Sequence, residues 1–385
     1  MGATRYLPVL RDRIRRPRFN SLFLFITSRC NSLCRTCFYF EKLNRSDDLS
    51  FDQIARLAET APPFRKLWIS GGEPLLREEL AEIVELFVHR AGVTNLNLPT
   101  NGLLPAKTFR TIDYLLERCP DLSIDLNFSI DGLANTHDAI RGVPNNFRRT
   151  LETMSEAHRR YHGIRRLRRN VVSVITTENY RELVELGTRF ASGGHADGHY
   201  FEVMRGQAPD GSLKSVPLAE VRALHRRLMR FYDGYARRLF GHLPWPVRRF
   251  ATMYYLGNVR FHFEWHEQCL EGPRPWPMPC TAGATTLVVD HDGVFRACEL
   301  RQPVGRLQDF GFDVQAALDS AAMRAEVEAI PRDGCWCTHS CFLQDSSKFS
   351  PKVQLFHIPW MYLRHLWERG SVQDLAPYHA LELPG

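Results

Sequence analysis

Residues 29–38 read RCNSLCRTCF and follow the short apolar run LFLFIT at 22–27. Cys30, Cys34 and Cys37 thus stand in a CxxxCxxC triplet on a loop delivered by a strand expected over 23–27. Residues three and four apart on such a loop can fold their sulfurs around one small inorganic cube. Three thiolates hold three irons of a four-iron cluster and leave the fourth iron without a protein ligand, and that open iron is where chemistry can occur. Clustered cysteines also serve as small buried hydrophobes or as zinc ligands. Zinc usually takes a fourth ligand close by, and Phe38, Tyr39 and Phe40 offer none, so the incomplete set suits iron and sulfur better.

Further motifs follow at strand ends. Ser70-Gly71-Gly72-Glu73-Pro74 comes after a strand expected over 66–69, Thr100-Asn101-Gly102 after one over 93–98, and Phe128-Ser129-Ile130-Asp131-Gly132 closes one over 123–130. His137-Asp138 and Arg141-Gly142 come next. Glycines let backbone approach a ligand closely, and Glu73 offers an anionic acceptor to an ammonium. Taken singly, each is what a turn after a strand looks like. In this order behind CxxxCxxC, they resemble the GGEP, TNG, SIDG and HDxxRG motifs of the radical S-adenosylmethionine (radical SAM) superfamily. The resemblance implies that Cys30, Cys34 and Cys37 carry a catalytic [4Fe-4S] cluster. It also implies that Gly71, Gly72, Glu73 and Pro74 hold the methionine end of S-adenosylmethionine, and that Asn101, Ser129 and Asp131 lie beside the same cofactor, the Ser129 segment near its ribose. Asp131-Gly132 reads equally well as a turn. Thr36 departs from the pattern, because an aromatic residue usually precedes the third cysteine and packs against the adenine.

The chain has 385 residues, enough for one large α/β unit and a smaller domain, and its 44% hydrophobic content is that of a folded protein. Ten cysteines would suggest disulfides in a secreted chain, but residues 1–18 are arginine-rich and lack the apolar segment of a signal peptide. A cytoplasmic setting with thiols used as ligands is expected. No apolar run approaches the ~20 residues of a membrane helix, and Tyr6 stands where a myristoylation signal needs Ser or Thr. The charge of +7 is concentrated at 11–18 and 158–169. Such runs are usually solvated, and without interleaved aromatics they do not read as nucleic-acid sites. Membrane contact is not expected.

From residue 22 to about 204 strand-like runs alternate with amphipathic helical patterns at 51–59, 77–90, 106–118, 147–161 and 180–190, with later strands near 171–175 and 199–203. Such alternation implies parallel strands with right-handed crossovers. The expected fold class is α/β, a partial (β/α)6 TIM-type barrel, with the motifs on loops at the C-terminal ends of its strands. The expected divisions are a basic arm over 1–21, the barrel over 22–212, an aromatic-rich helical connection over 213–268, a cysteine-rich subdomain over 269–345 and a tail over 346–385. In the connection, Leu218, Val221, Leu224, Leu228, Phe231, Tyr235 and Leu239 recur at helical spacing, and Trp245, Phe250, Tyr254, Tyr255 and Trp265 follow. A helix packed on the barrel wall accounts for them; a lipid-facing or substrate-covering surface is the alternative.

Cys280 precedes a hairpin expected over 285–289 and 294–297, turning at Asp292-Gly293 and followed by Cys298; Cys335, Cys337 and Cys341 stand in GCWCTHSCF. This region resembles the SPASM and twitch domains that append auxiliary clusters to radical SAM barrels. The resemblance implies one auxiliary [4Fe-4S] cluster with Cys280 and Cys298 as ligands and Cys335, Cys337 and Cys341 competing for the remaining positions, Cys269 being a further candidate. Zinc is the alternative, since four or five cysteines satisfy it fully. Cys119, at a helix end, reads as an incidental thiol.

The resemblance implies a radical enzyme that cleaves S-adenosylmethionine reductively and takes hydrogen from a substrate carbon. A fully ligated auxiliary cluster would relay electrons and favour net oxidation. About twenty residues precede the first strand, too few to fold alone as the leader-binding domain of peptide-modifying relatives, which favours a small molecule such as a sugar or lipid precursor. Peptide modification is the second expectation, and an iron-sulfur electron carrier the third. A carrier would have no need of the Gly-Gly-Glu-Pro or Thr-Asn-Gly segments. The partners expected are the substrate and an electron donor such as flavodoxin or ferredoxin.

Overall fold

The computed structural model describes residues 18–369. Residues 1–17 of the expected basic arm and 370–385 of the expected tail lie outside the described residues. The described chain divides into two compact units, one of 19–216 with 286–326, the other built mainly of 217–285 and 327–369.

In the first unit, β1 (Ser21–Thr27), α1 (Phe51–Thr60), β2 (Lys66–Gly71), α2 (Leu80–Ala91), β3 (Asn95–Thr100), α3 (Pro105–Arg118) and β4 (Ser123–Ser129) alternate in sequence. They are followed by α4 (Ala134–Arg141), α5 (Asn146–Arg160), β5 (Leu167–Ile175), α6 (Leu183–Gly193) and β6 (Gly198–Val203). All seven residues of β1 are buried, as expected of a central strand covered on both faces. Helix boundaries follow local chemistry. Ser50 and Gln53 form a reciprocal capping box at the start of α1, and Gly92, at φ 73°, ends α2 in the left-handed conformation. The strands pair in parallel in the order β6-β5-β4-β3-β2-β1, forming the partial barrel. Phe25, Phe87, Phe128 and Phe190 fill its core.

The same sheet continues past β1. β7 (Thr286–Val289) pairs in parallel with β1, and β8 (Val294–Arg296) and β9 (Gly305–Arg306) extend it antiparallel. The hairpin read from Asp292-Gly293 is therefore an extension of the barrel sheet, with Gly293 at φ 85° supplying the turn.

The second unit contains α7 (Leu218–Phe240) and α8 (Trp245–Glu271), packed on each other. Past the short helices α9 (Val314–Leu318) and α10 (Ala321–Arg332), it continues with α11 (Ser340–Lys348) and α12 (Ile358–Glu368). The buried stripe of α7 is the one its spacing predicts, including Val221, Leu224, Leu228, Phe231 and Tyr235. α8 and α12 meet closely, because a Cβ added at Gly257 would lie 2.3 Å from the carbonyl oxygen of Ile358. Buried polar pairs sit inside this helical unit: His225 Nδ1 with Glu267 at 2.9 Å, and His365 Nε2 with Asp233 at 2.9 Å.

Candidate functional site

The cysteine loop is fixed from both sides. On one, Gly72 N–H donates to the Thr27 carbonyl at 2.8 Å and Glu73 N–H to that of Arg29 at 2.8 Å. On the other, Leu33 and Arg35 donate to the carbonyls of Arg141 and Ile140 at 3.2 and 2.9 Å. Two glycines are required by these approaches. A Cβ at Gly72 would stand 2.0 Å from the Arg29 oxygen, and one at Gly142, already at φ 65°, 2.7 Å from the Leu33 oxygen. Cys30 N–H donates to Asn44 Oδ1 at 3.0 Å, which ties the loop's first cysteine to the segment beyond its third.

Glu73 and Asn101 meet the same loop. The Glu73 carboxylate accepts from Asn101 N–H at 2.8 Å and Leu75 N–H at 3.3 Å, while Asn101 Nδ2 donates to Asn31 Oδ1 and Ser32 Oγ at 2.7 and 2.9 Å. Thr150 and Thr153 of α5 donate to the carbonyls of Asn101 and Gly102, holding that turn from behind. Burial pushes the Glu73 carboxyl up to about 7, against the hydrogen bonds of Asn101, Thr100 and Leu75 and the charge of Arg141. A cationic amine beside it would favour the ionised form.

The three thiols lie close enough to act on one another. Burial raises Cys30 to about 12, and Cys34, Glu73 and Cys37 add to the rise against a backbone hydrogen bond from Ser32. Burial raises Cys37 to about 11, with Cys34 adding and the Tyr39 backbone and Arg141 opposing. Crowded, desolvated thiols are what a cationic iron centre would relieve. Among the described residues no three His, Cys, Asp or Glu are placed to share a single metal ion.

Arg141 is the residue that sequence reasoning left without a role. Its Nη1 donates to Cys34 Sγ at 3.7 Å and its Nη2 lies 2.8 Å from Asp131 Oδ2, with the Asp131 carboxyl fully buried. Burial disfavours its charge, yet Asp131 and the sulfurs of Cys34 and Cys30 outweigh that and hold it firmly protonated. Asp131 is itself oriented: Oδ1 accepts from Val174 N–H at 2.8 Å, and its N–H donates to His137 Nδ1 at 3.0 Å. His137 is thereby the Nε2–H tautomer, facing Asn146 Oδ1 at 3.1 Å, and burial, then Arg141, lowers it to about 4. The Asp131 carboxylate is thus turned to Arg141 and the β5 backbone. Ser129 ends β4 opposite Val172, half-buried, and Pro74 opens a short 3-10 turn.

The remaining cysteines divide between the units. Cys298, in the first, accepts from Leu300 N–H at 3.5 Å. Cys269, Cys280, Cys335, Cys337 and Cys341 belong to the second. There Cys269 Sγ donates to the Cys337 carbonyl at 3.4 Å, as does Trp276 Nε1 at 3.1 Å. Burial raises the Cys269 thiol to about 11, and Cys335 is near enough to add to it. Cys119 is buried at the end of α3.

Residues 24–188 match the family profile described as "Radical SAM superfamily". A GTP 3',8-cyclase of Acidothermus cellulolyticus is 37% identical over 112 residues, which are 27% of this chain and 31% of that protein. A probable GTP 3',8-cyclase of Methanococcus maripaludis is 33% identical over 123 residues, 30% of this chain and 38% of that one. The chain therefore spans about a third of the length of these curated relatives. Among solved structures, a histidine-tagged anSMEcpe with bound AdoMet superposes with a TM-score of 0.59 at 16% identity, covering 91% of this chain and 96% of that one. Streptococcus suis SuiB bound to S-adenosylmethionine gives 0.55 at 16% identity, covering 84% and 71%. With the cysteine triplet, the Gly-Gly-Glu turn and Asn101 gathered at the strand ends of a partial barrel, and the family profile running across them, residues 24–188 form a radical SAM domain.

Proposed function

We propose that this chain is a radical S-adenosylmethionine enzyme acting on a carbon–hydrogen bond of a small organic molecule, such as a sugar or lipid precursor, with net oxidation. The observation that carries this reading is the hydrogen-bonded convergence of the cysteine loop, buried Glu73 and Asn101. When bound, a [4Fe-4S] cluster and S-adenosylmethionine supply one-electron reductive cleavage and a 5'-deoxyadenosyl radical that takes hydrogen from carbon. The chain's own residues bind and orient. Cys30, Cys34 and Cys37 hold three irons, and the Gly71-Gly72 backbone admits the cofactor's amino-acid end. Glu73 accepts the ammonium with its carboxylate fixed by Asn101 N–H. Arg141, kept charged by Asp131, offsets negative charge at Cys34.

A second [4Fe-4S] cluster is proposed on Cys280, Cys335, Cys337 and Cys341 of the second unit, four thiolates that leave no iron open and suit an electron relay. A flavodoxin or ferredoxin in the cytoplasm would supply the electrons. Peptide modification is the second reading. It is favoured by the fold likeness to anSMEcpe with bound AdoMet and Cp18Cys peptide, which covers 92% of this chain with a TM-score of 0.58.

Anaerobic reconstitution tests the reading. The parent chain should hold about eight irons and release 5'-deoxyadenosine with dithionite, and the Cys30→Ala, Cys34→Ala, Cys37→Ala triple variant about four irons with no release. Release by the triple variant would overturn the first site, and zinc in place of its remaining iron would overturn the relay. Deuterium transfer into 5'-deoxyadenosine from a labelled peptide, and none from small metabolites, would favour the second reading.

A further inference from the structure

The second unit carries an apolar surface that its core does not use. Trp245 and Phe250, in the first turns of α8, are 62% and 64% exposed. Phe356, Trp360, Leu363 and Trp367 are 69%, 61%, 56% and 86% exposed. Their spacing of four, three and four residues places the last four within about 60° of one another around a helix, so they form one stripe. The two groups adjoin. The Phe250 ring stacks on Tyr254 with centroids 6.5 Å apart, and the Tyr254 hydroxyl donates at 2.7 Å to Gln354, which immediately precedes the stripe.

Charge is of one sign at the α7–α8 end of this surface, while on α12 Arg364 is paired with Glu264 and Glu368. No Asp or Glu occurs between Asp233 and Glu264, while Arg237, Arg238, Arg248 and Arg249 are all exposed at the turn joining α7 to α8. Arg238 lies 4.4 Å over the Tyr235 ring and Arg249 5.7 Å over that of Trp245, so guanidinium groups and aromatic faces share the same ground.

We propose that this face docks the protein peripherally on an anionic phospholipid surface. Tryptophan and phenylalanine sit well at the level of lipid headgroups, aliphatic side chains such as Leu363 enter the acyl boundary, and arginines reach back to phosphate oxygens. No described helix is long and apolar enough to cross a membrane, so the contact lies in the interface plane. A second copy fits less well, because a two-fold contact would set the four arginines against four more, with no acidic residue in that stretch to pair them. The sequence reading held a lipid-facing surface as the alternative for Trp245 and Phe250, and their exposure favours that alternative over the expected absence of membrane contact. The inference is independent of the substrate.

The test is co-sedimentation of the full, cluster-loaded chain with vesicles of phosphatidylcholine alone or with about 30 mol% phosphatidylglycerol. Partition onto the anionic vesicles should exceed that onto neutral ones by about tenfold, and should fall by about tenfold in Trp360→Ser/Trp367→Ser and in Arg248→Glu/Arg249→Glu. Circular dichroism and iron content matching the parent show that the variants are folded. No partition onto anionic vesicles, or undiminished partition in both folded variants, would overturn the proposal. So would a solution dimer that Trp360→Ser/Trp367→Ser dissociates, in a chain that does not bind vesicles.

Discussion

Glu73 couples the cofactor to pH. With its carboxyl raised to about 7 by burial, the free site binds a proton on acidification, and that proton must leave before the carboxylate can pair with an ammonium. Affinity for S-adenosylmethionine is therefore expected to be flat above about pH 7 and to fall below it by up to tenfold per unit. Anaerobic equilibrium dialysis between about pH 6 and 8 measures this. Glu73→Gln should bind about tenfold more weakly at the upper end and lose the slope, with iron content retained. At Asp131 the expectation concerns stability. Asp131→Asn leaves buried Arg141 without its counter-charge, a change costing on the order of 3–5 kcal/mol in denaturant titration. The double variant Asp131→Asn/Arg141→Met should lose less than the sum of the two single changes. The cysteine triplet was singled out by its spacing and Glu73 by the resemblance of its Gly-Gly-Glu-Pro segment, and the structure brings Glu73 against the cysteine loop. Arg141 was legible only as part of a motif, since its contact with Cys34 spans 107 positions and nothing local announces it.

Among the elements, the Gly-Gly-Glu turn transmits the order of the sheet to the cysteine loop. Gly72→Ala would push a methyl into the Arg29 carbonyl, and reconstituted iron at the first site is expected to drop together with the melting temperature. Gly92→Ala is the matched control. Nothing lies within 4 Å of its added carbon, so only the cost of φ 73°, about 1 kcal/mol, should appear, with iron unchanged. The strands and most barrel helices were readable from their periodicity. α4 was not: ANTHDAIR has little apolar pattern, and the helix buries His137 and Ile140 and lends its last carbonyls to the cysteine loop. α8 was visible only as scattered aromatics. Its 27 residues distribute apolar groups nearly all round the helix, so no single stripe marks it.

For the whole molecule, acid sensitivity follows from buried imidazoles. Burial lowers His137 and His262 to about 4 and His199 to about 3, and also lowers His225 and His266. Each stays neutral in the folded chain where the unfolded chain takes up a proton, so stability is full above about pH 6.5 and is lost progressively toward pH 4. Urea midpoints should therefore fall between about pH 7.5 and 5. His199→Gln should reduce that fall if its loss at neutral pH is small enough for both midpoints to be measured. The alternation of strands and helices revealed the barrel, but not that β7 would lie along β1, because parallel pairing between segments so remote in sequence leaves no local trace. That pairing has a consequence for biosynthesis. One edge of LFLFIT, the most apolar strand of the barrel, waits for a partner made only after more than two-thirds of the chain has left the ribosome. At ~5–20 residues per second this leaves a bare strand edge for tens of seconds. A chain released before residue 286 would keep that edge open beside the cysteine loop, so completing the sheet and covering that edge become one late event.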